Sequence, residues 1–122
     1  MLRLVSLVML AAGLLLAATA CAPTVPAEDP SIRGTITSIT PGDAGGTILV
    51  EMPTGGQAFD YDKAAVRVAE DSTVLLMDTE GGYSDATFDD LAEGQTVDVW
   101  FTGAVAESYP VQATADVVLI RK

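Results

Sequence analysis

The only thiol in the sequence belongs to Cys21, which stands between an apolar run and a proline-rich polar segment. A lone cysteine cannot form an internal disulfide, so in an exported protein it calls for another chemistry. The four residues before it, Ala-Ala-Thr-Ala at 17–20, are small, and small residues let a processing protease reach the backbone. Arg3 and the apolar block 4–16 precede them, and this block is shorter than the roughly 20 residues of a spanning helix. Residues 1–20 therefore have the three parts of a signal peptide.

The small residues followed directly by Cys21 resemble the lipobox of bacterial lipoproteins. The resemblance implies that the Cys21 thiol is joined to a diacylglycerol, that cleavage occurs just before this residue, and that the new amino terminus can also be acylated. Two or three acyl chains anchor a protein stably, whereas one does not. The alternative is that Cys21 is an incidental small residue beside an ordinary cleavage site or an uncleaved membrane helix.

Residues 21–30, Cys-Ala-Pro-Thr-Val-Pro-Ala-Glu-Asp-Pro, contain three prolines and cannot form a helix. This composition is typical of an extended linker. We expect the segment to be an extended tether that holds a folded domain, residues 31–122, off the bilayer.

The chain is strongly acidic, with 17 Asp and Glu against 6 Lys and Arg and a formal net charge of −11. Such a surface repels phosphate backbones, so we expect no nucleic-acid partner. It also disfavours electrostatic adhesion to anionic lipid, and membrane attachment must therefore come from the N-terminus.

Several of the acidic residues are close enough in sequence to suggest a calcium site, because calcium binds several carboxylate oxygens at once. These residues are Asp60, Asp62, Asp78, Glu80, Asp85, Asp89 and Asp90. Their spacing does not match the twelve-residue calcium loop, and close carboxylates are expected by chance in so acidic a domain. We interpret them as a solvated acidic face and predict no metal site.

The inventory of catalytic groups is poor. The sequence has no histidine, its only thiol is assigned to lipid, and Lys63 is the only lysine away from the chain end. A hydrolase with paired carboxylates is the alternative, but it needs a cleft that a small closed barrel seldom provides. We predict no catalytic residue, no cofactor and no enzymatic activity.

From residue 31 onward, short alternating runs are separated by turn residues, which predicts an all-β domain. The runs are residues 32–40, 47–52, 64–69, 73–78, 95–102 and 111–120. The third and fourth runs are separated by residues 70–72, which fit either a bend in one long strand or a tight turn between two. Thr87 can cap a single helical turn that ends at Gly94, with Phe88 and Leu91 pointing into the core.

If the third and fourth runs form one strand, the six runs make five strands. Their order along the chain is then three strands, a short helical turn and two further strands. This is the order of an OB-fold, a five-stranded barrel with its helix between strands three and four. Closing the barrel hides the sheet edges that short strands otherwise expose. An SH3-like barrel or a small sandwich is the alternative.

The segment 90–103, Asp-Leu-Ala-Glu-Gly-Gln-Thr-Val-Asp-Val-Trp-Phe-Thr-Gly, and its continuation to residue 115 resemble the YobA-like family of small exported bacterial domains. The most specific part is Glu-Ser-Tyr-Pro at 107–110, followed by Gln-Ala at 112–113. The resemblance covers residues 32–120 and implies an OB-like barrel attached by a lipid or signal sequence. It implies no activity, because the family has no known function and no catalytic motif.

Trp100, Glu107, Ser108 and Tyr109 lie in or near the loop that joins the last two strands. In OB-folds this loop borders the usual ligand-binding face, so we take the four residues as a candidate binding surface. The alternative is that Trp100 and Tyr109 only cover one end of the barrel. Trp100 lies on the polar side of its strand, where an aromatic ring is either covered or offered to a partner. We expect the loop 107–110 to cover it.

These observations predict a lipoprotein on the cytoplasmic or outer membrane, facing the periplasm or the exterior. Its contact with the membrane is the N-terminal lipid. Its barrel is expected to have a non-catalytic role in binding another component of the cell envelope. The alternative function is a module that binds a small ligand or a divalent cation.

Overall fold

The computed structural model describes residues 23–53 and 59–121. Cys21 and the predicted signal peptide, residues 1–20, lie outside these ranges. The described elements are β1 Ile32–Pro41, β2 Gly46–Glu51, β3 Lys63–Val68, β4 Thr73–Met77, β5 Tyr83–Ala86, a 3-10 turn Phe88–Asp90, β6 Thr96–Ala106 and β7 Val111–Ile120. No helix within the two ranges is long and apolar enough to cross a bilayer.

Five of the strands close into a barrel. Around it, β1 pairs with β2, β2 with β3, β3 with β7, β7 with β6, and β6 again with β1. All of these pairs are antiparallel except β3 and β7, which run parallel. The 3-10 turn stands between the third and fourth barrel strands. The predicted all-β, OB-like barrel is therefore confirmed.

β4 and β5 are additional to the barrel and form a hairpin beside β7. β3 pairs with the first half of β7 and β4 with its second half, both in parallel. The two strands therefore follow one another along the same side of β7, interrupted by residues 69–72. Ser72 fixes the interruption, because its hydroxyl donates to the carbonyl oxygen of Ala115 at 2.6 Å and accepts from the Ala69 amide at 2.9 Å. The sequence left open whether this was a bend in one strand or a turn between two, and the structure shows a turn, closed by the Ser72 amide on the Ala69 carbonyl oxygen at 3.1 Å, between two strands that run in the same direction.

β5 is a strand that the sequence does not predict. It pairs with β4 at the edge of the sheet. Its four residues, Tyr-Ser-Asp-Ala, are half-buried or exposed and show no apolar alternation. Because an edge strand of this kind has no buried face, the pattern that identifies strands is missing.

Alternate residues of the strands fill the barrel interior. Val97 and Val99 of β6 are fully buried and Leu91 is also buried, as their spacing predicts. Phe88 and Phe101 are only half-buried and pack against this core. The other large buried residues of the barrel are Ile32, Ile36, Ile48, Val50, Val66, Val68 and Val118.

Phe101→Ala measures how much the half-buried aromatic ring contributes to stability. The ring packs against Tyr61, with the two centroids 5.4 Å apart. We expect the free energy of unfolding to fall by about 1–3 kcal/mol, less than the roughly 3–5 kcal/mol of a fully buried aromatic. In urea denaturation, Glu107→Ala is the control, because Glu107 is exposed in the β6–β7 loop and its truncation should change stability by less than about 0.5 kcal/mol. Equal losses in the two variants would contradict an inward-facing Phe101.

Candidate functional site

Trp100 lies on the outer wall of the barrel, alternating along β6 with the inward-facing Val99. It is nevertheless only 6% exposed, because it belongs to a second apolar cluster outside the barrel. We name this group the outer cluster. Its buried members are Leu75, Trp100, Val117 and Leu119, against which Val25, Met77 and Tyr83 pack.

The N-terminal segment covers Trp100. The indole nitrogen of Trp100 donates a hydrogen bond to the carbonyl oxygen of Glu28 at 2.9 Å, and Val25 packs against the outer cluster. Pro30 is buried as well. The prediction that Trp100 is covered is correct, but the prediction that the loop 107–110 covers it is wrong.

The length of β6 explains the error. The strand continues to Ala106, beyond its predicted end, so about 20 Å of strand lie between Trp100 and the loop. The structure therefore does not bring the four predicted surface residues together. Trp100 belongs to the outer cluster, whereas Glu107, Ser108 and Tyr109 lie at the far end of the β6–β7 hairpin.

Tyr109 is the most exposed large apolar side chain in the described ranges, at 72%. Its hydroxyl donates to the carboxylate of Asp62 at 3.3 Å, and its ring centroid lies 5.9 Å from the ammonium nitrogen of Lys63. The hydroxyl of Ser108 donates to the carbonyl oxygen of Pro110 at 2.8 Å. These contacts orient the loop and leave the Tyr109 ring open to a partner.

A row of polar side chains crosses the barrel wall next to this loop. Arg67 of β3 lies opposite Thr47 of β2 and Thr114 of β7, and Thr114 lies opposite Thr102 of β6. Residues directly opposite one another share a face, so one arginine and three threonines form a line across four strands, which we name the Arg67 row. Depressions of about 320, 340 and 450 Å³ meet at Arg67. These volumes lie at the lower end of the range of small-molecule sites.

Arg67 is the one basic side chain in residues 23–53 and 59–121 that forms no ion pair; the other three all pair with carboxylates. Glu70 and Asp71 line one of the depressions. The row thus offers a guanidinium and several hydroxyl groups, with carboxylates at its rim. This combination suits a small ligand that carries a single carboxylate or another oxyanion.

Lys63 and Arg67 lie four residues apart on β3 and therefore point to the same side of the sheet. Because Tyr109 contacts Lys63, it belongs to the same surface as the Arg67 row. We name this surface, the Arg67 row with Lys63, Tyr109 and Gln112, the β3 wall. The sequence singled out Tyr109 but not Arg67, because the threonines beside Arg67 come from three other strands.

Asp98 is the one buried polar side chain of the described ranges, at 2% exposure. Its carboxylate accepts from Nε and Nη2 of Arg33 at 2.5 and 3.0 Å, and from Arg121 at 2.8 Å. The hydrogen bond to Asp98 raises the pKa of Arg33, so the guanidinium stays charged. Both carboxylate oxygens are paired, so the two arginines compensate the charge that the fold buries. The only sequence signal was a carboxylate between two core valines.

Two of the acidic residues considered for calcium, Asp78 and Asp90, bind backbone amides of nearby turns instead. The carboxylate of Asp78 accepts from the amides of Glu80 at 2.9 Å and Gly82 at 2.8 Å, which shapes the β4–β5 turn. Asp90 accepts from the amide of Thr87 at 2.8 Å and so caps the predicted turn. Across the part of the chain that the structure describes, no three or more His, Cys, Asp or Glu side chains are grouped so that they could hold a metal ion.

The fold and its surfaces define a small acidic OB-like barrel with an added hairpin, in which the polar side chains buried in the described ranges all have partners. The chain belongs to the family described as Protein of unknown function (DUF3221), whose model matches residues 48–120. The match begins within β2 and ends at the last residue of β7, so it includes Arg67, Trp100 and Tyr109. No curated protein and no solved structure is significantly similar to this chain.

Proposed function

We propose that the protein is a bacterial lipoprotein, anchored through lipid on Cys21, whose acidic barrel binds another component of the cell envelope without catalysing a reaction. It would face the periplasm or the exterior from the cytoplasmic or outer membrane. The observation that carries the binding role is the β3 wall, where Arg67, which has no ion pair among the described residues, and the exposed Tyr109 share one open surface. The outer cluster, in contrast, is already covered by the chain's own N-terminal segment.

The lipid anchor is supported by the N-terminal sequence. The small residues 17–20 stand directly before Cys21, and the apolar block 4–16 is too short for a stable spanning helix. The acidic charge of the rest of the chain gives it no electrostatic attraction to anionic lipid. An acylated Cys21 is therefore the means of attachment that the sequence favours.

The non-catalytic role is supported by the available side chains. General acid and base catalysis requires a titratable group at a reacting centre, and the sequence contains no histidine. The one buried carboxylate of the described ranges, Asp98, is held by two arginines. Arg67, at the centre of the β3 wall, carries a guanidinium that can bind an anion but neither gives nor takes protons at ordinary pH.

Within its family of unknown function, we also propose that the chain groups with the YobA-like exported domains. The segment 90–115 supports this placement, since it contains both β6 and the Glu-Ser-Tyr-Pro loop at 107–110. The grouping adds no activity to the proposal, but it agrees with an exported, membrane-attached barrel.

Site-specific photo-crosslinking of the full chain in the producing bacterium tests the binding role. A photoreactive residue at Gln112, on the β3 wall, should yield a discrete crosslink to one envelope component. The same residue at Glu93, which is exposed in the loop before β6, should not. Arg67→Glu should abolish the Gln112 crosslink, whereas Thr79→Glu, which adds an acidic charge on the β4–β5 turn, should preserve it. Equal crosslinking from both positions, or none from either, would contradict the proposal.

A second candidate function is the binding of a small oxyanion ligand at the Arg67 row, which the depressions around Arg67 favour. Sodium glucuronate, which combines a carboxylate with hydroxyl groups, is a suitable probe. It should raise the melting temperature of the Cys21→Ser chain with increasing concentration, because a ligand that binds only the folded state stabilises it. Arg67→Gln should remove the shift and Arg67→Lys should reduce it, since lysine lacks the planar fork. A shift with calcium chloride but not with glucuronate would favour a cation instead.

A further inference from the structure

The sequence predicts an extended tether over residues 21–30, but from Val25 onward the described part of this segment is attached to the barrel. Next to β1, the Ser31 amide donates to the carbonyl oxygen of Val99 at 2.9 Å. The Ser31 hydroxyl accepts from the amide of Phe101 at 3.1 Å. The segment thereby extends β1 along β6, past the irregularity in the β6–β7 pairing between Trp100 and Phe101.

Further from β1, the segment crosses the outer cluster. Proline has no amide hydrogen, so the pairing with β6 cannot continue through Pro30, which is buried. Glu28 then accepts the indole hydrogen of Trp100, and Val25 packs on the cluster itself. If this segment lifted off, the Trp100 ring would be uncovered and its N–H would lose its protein partner. Residues 25–31, which we name the strap, are thus part of the fold.

The strap leaves little chain between the barrel and the proposed lipid anchor. Four backbone steps separate Cys21 from Val25, and an extended chain spans at most about 3.6 Å per residue, or about 14 Å in total. A tether that is free as far as Pro30 would instead span up to about 32 Å. Glu28 and Asp29 are acidic and give the segment no electrostatic attraction to anionic lipid. The distance between the barrel and the bilayer is therefore limited by the short length of chain that precedes the strap.

We infer that the strap holds the barrel against the lipid surface, with the side that bears the outer cluster nearest to the bilayer. The inference rests on the proposed acylation of Cys21. A barrel of this size is about 30 Å across, so whatever the β3 wall binds must lie within about 45 Å of the bilayer. The partner must then present its contact surface within that distance of the membrane.

Because Trp100 is the single tryptophan of the chain, the distance between the outer cluster and the bilayer can be measured by its fluorescence. The acylated protein, purified from membranes, is placed in phosphatidylcholine vesicles that carry a dansyl-labelled phosphatidylethanolamine, and energy transfer from Trp100 to the dansyl group is recorded. Transfer should be strong in the wild type. A spacer of about twelve Gly and Ser residues between Pro23 and Thr24 should lower it by about half or more, because the reach of the anchor increases.

Two substitutions in the segment distinguish the effect of losing the strap's contacts from the effect of adding a negative charge. Val25→Asp should release the strap and lower the transfer as the spacer does, while also exposing Trp100 to the soluble quencher acrylamide. Thr24→Asp is the matched control, since it adds the same charge at an exposed neighbouring position and should leave both signals unchanged. If Val25→Asp fails to fold, the spacer variant decides alone, because it leaves residues 24–122 intact.

The outcomes distinguish the strap from the anchor. Vesicle-bound wild type with weak transfer that the spacer does not change would overturn the strap and leave the lipid anchor standing. Wild type that binds vesicles no better than Cys21→Ser would overturn the anchor and the inference built on it. Strong transfer that falls with the spacer and with Val25→Asp, but not with Thr24→Asp, would support the inference.

Discussion

Trp100→Ala should lower the free energy of unfolding by about 3–5 kcal/mol, although the residue lies on the outside of the barrel. The ring is 6% exposed, joins β4, β6 and β7 through the outer cluster, and anchors the strap through Glu28. Domains of this kind have about 5–15 kcal/mol of stability in total, so a large part of the folded population should be lost. Urea denaturation of the Cys21→Ser chain measures the effect.

Trp100→Phe is the control for this variant, because it keeps an aromatic ring and removes the hydrogen bond to Glu28. We expect a loss of about 1 kcal/mol, the typical net contribution of one hydrogen bond. In the parent chain, Trp100 fluorescence should be shielded from acrylamide. A stable Trp100→Ala variant, together with freely quenched fluorescence, would show that the ring is a contact residue and that the strap does not cover it.

Replacing Arg33 and Arg121 together by methionine should cost more than the sum of the two single replacements. Both guanidinium groups bind the buried Asp98, and each is about one-third exposed. With one arginine left, Asp98 keeps a partner, and we expect each single variant to lose about 1 kcal/mol. With both removed, the carboxylate is buried without a counter-charge, which typically costs about 3–5 kcal/mol.

A double-mutant cycle in urea measures this coupling directly. Adding Asp98→Asn to the double methionine variant should restore part of the lost stability, because the buried group is then neutral. Strictly additive losses from Arg33 and Arg121, or no recovery with Asp98→Asn, would contradict the assignment of Asp98 as a buried charge shared by two arginines.

The barrel could be predicted from sequence because its signals are local. The alternation of Val97, Val99 and Phe101 identifies the inner face of β6 without reference to any other strand. The helical turn is likewise encoded within a few residues, where Thr87 and Asp90 form its cap. These short patterns also fix the order of the elements, and the order predicts the OB-like arrangement.

The strap, the ion pairs of Asp98 and the Arg67 row could not be predicted, because each depends on residues far apart in the chain. Trp100 and Glu28 are 72 residues apart, and Arg33 and Asp98 are 65 apart, so no local pattern reports either contact. For the same reason the sequence could show that Trp100 needs a cover but could not identify the strap as that cover. The Arg67 row arises only when four strands are brought into register.

The anchoring of this barrel by lipid is the central claim, and mass spectrometry of the protein from the membrane fraction tests it most directly. The proposal predicts an N-terminal peptide that begins at Cys21 and carries the added mass of a diacylglycerol, with residues 1–20 absent. An unmodified Cys21 thiol, or a mature chain that begins at any other residue, would contradict it.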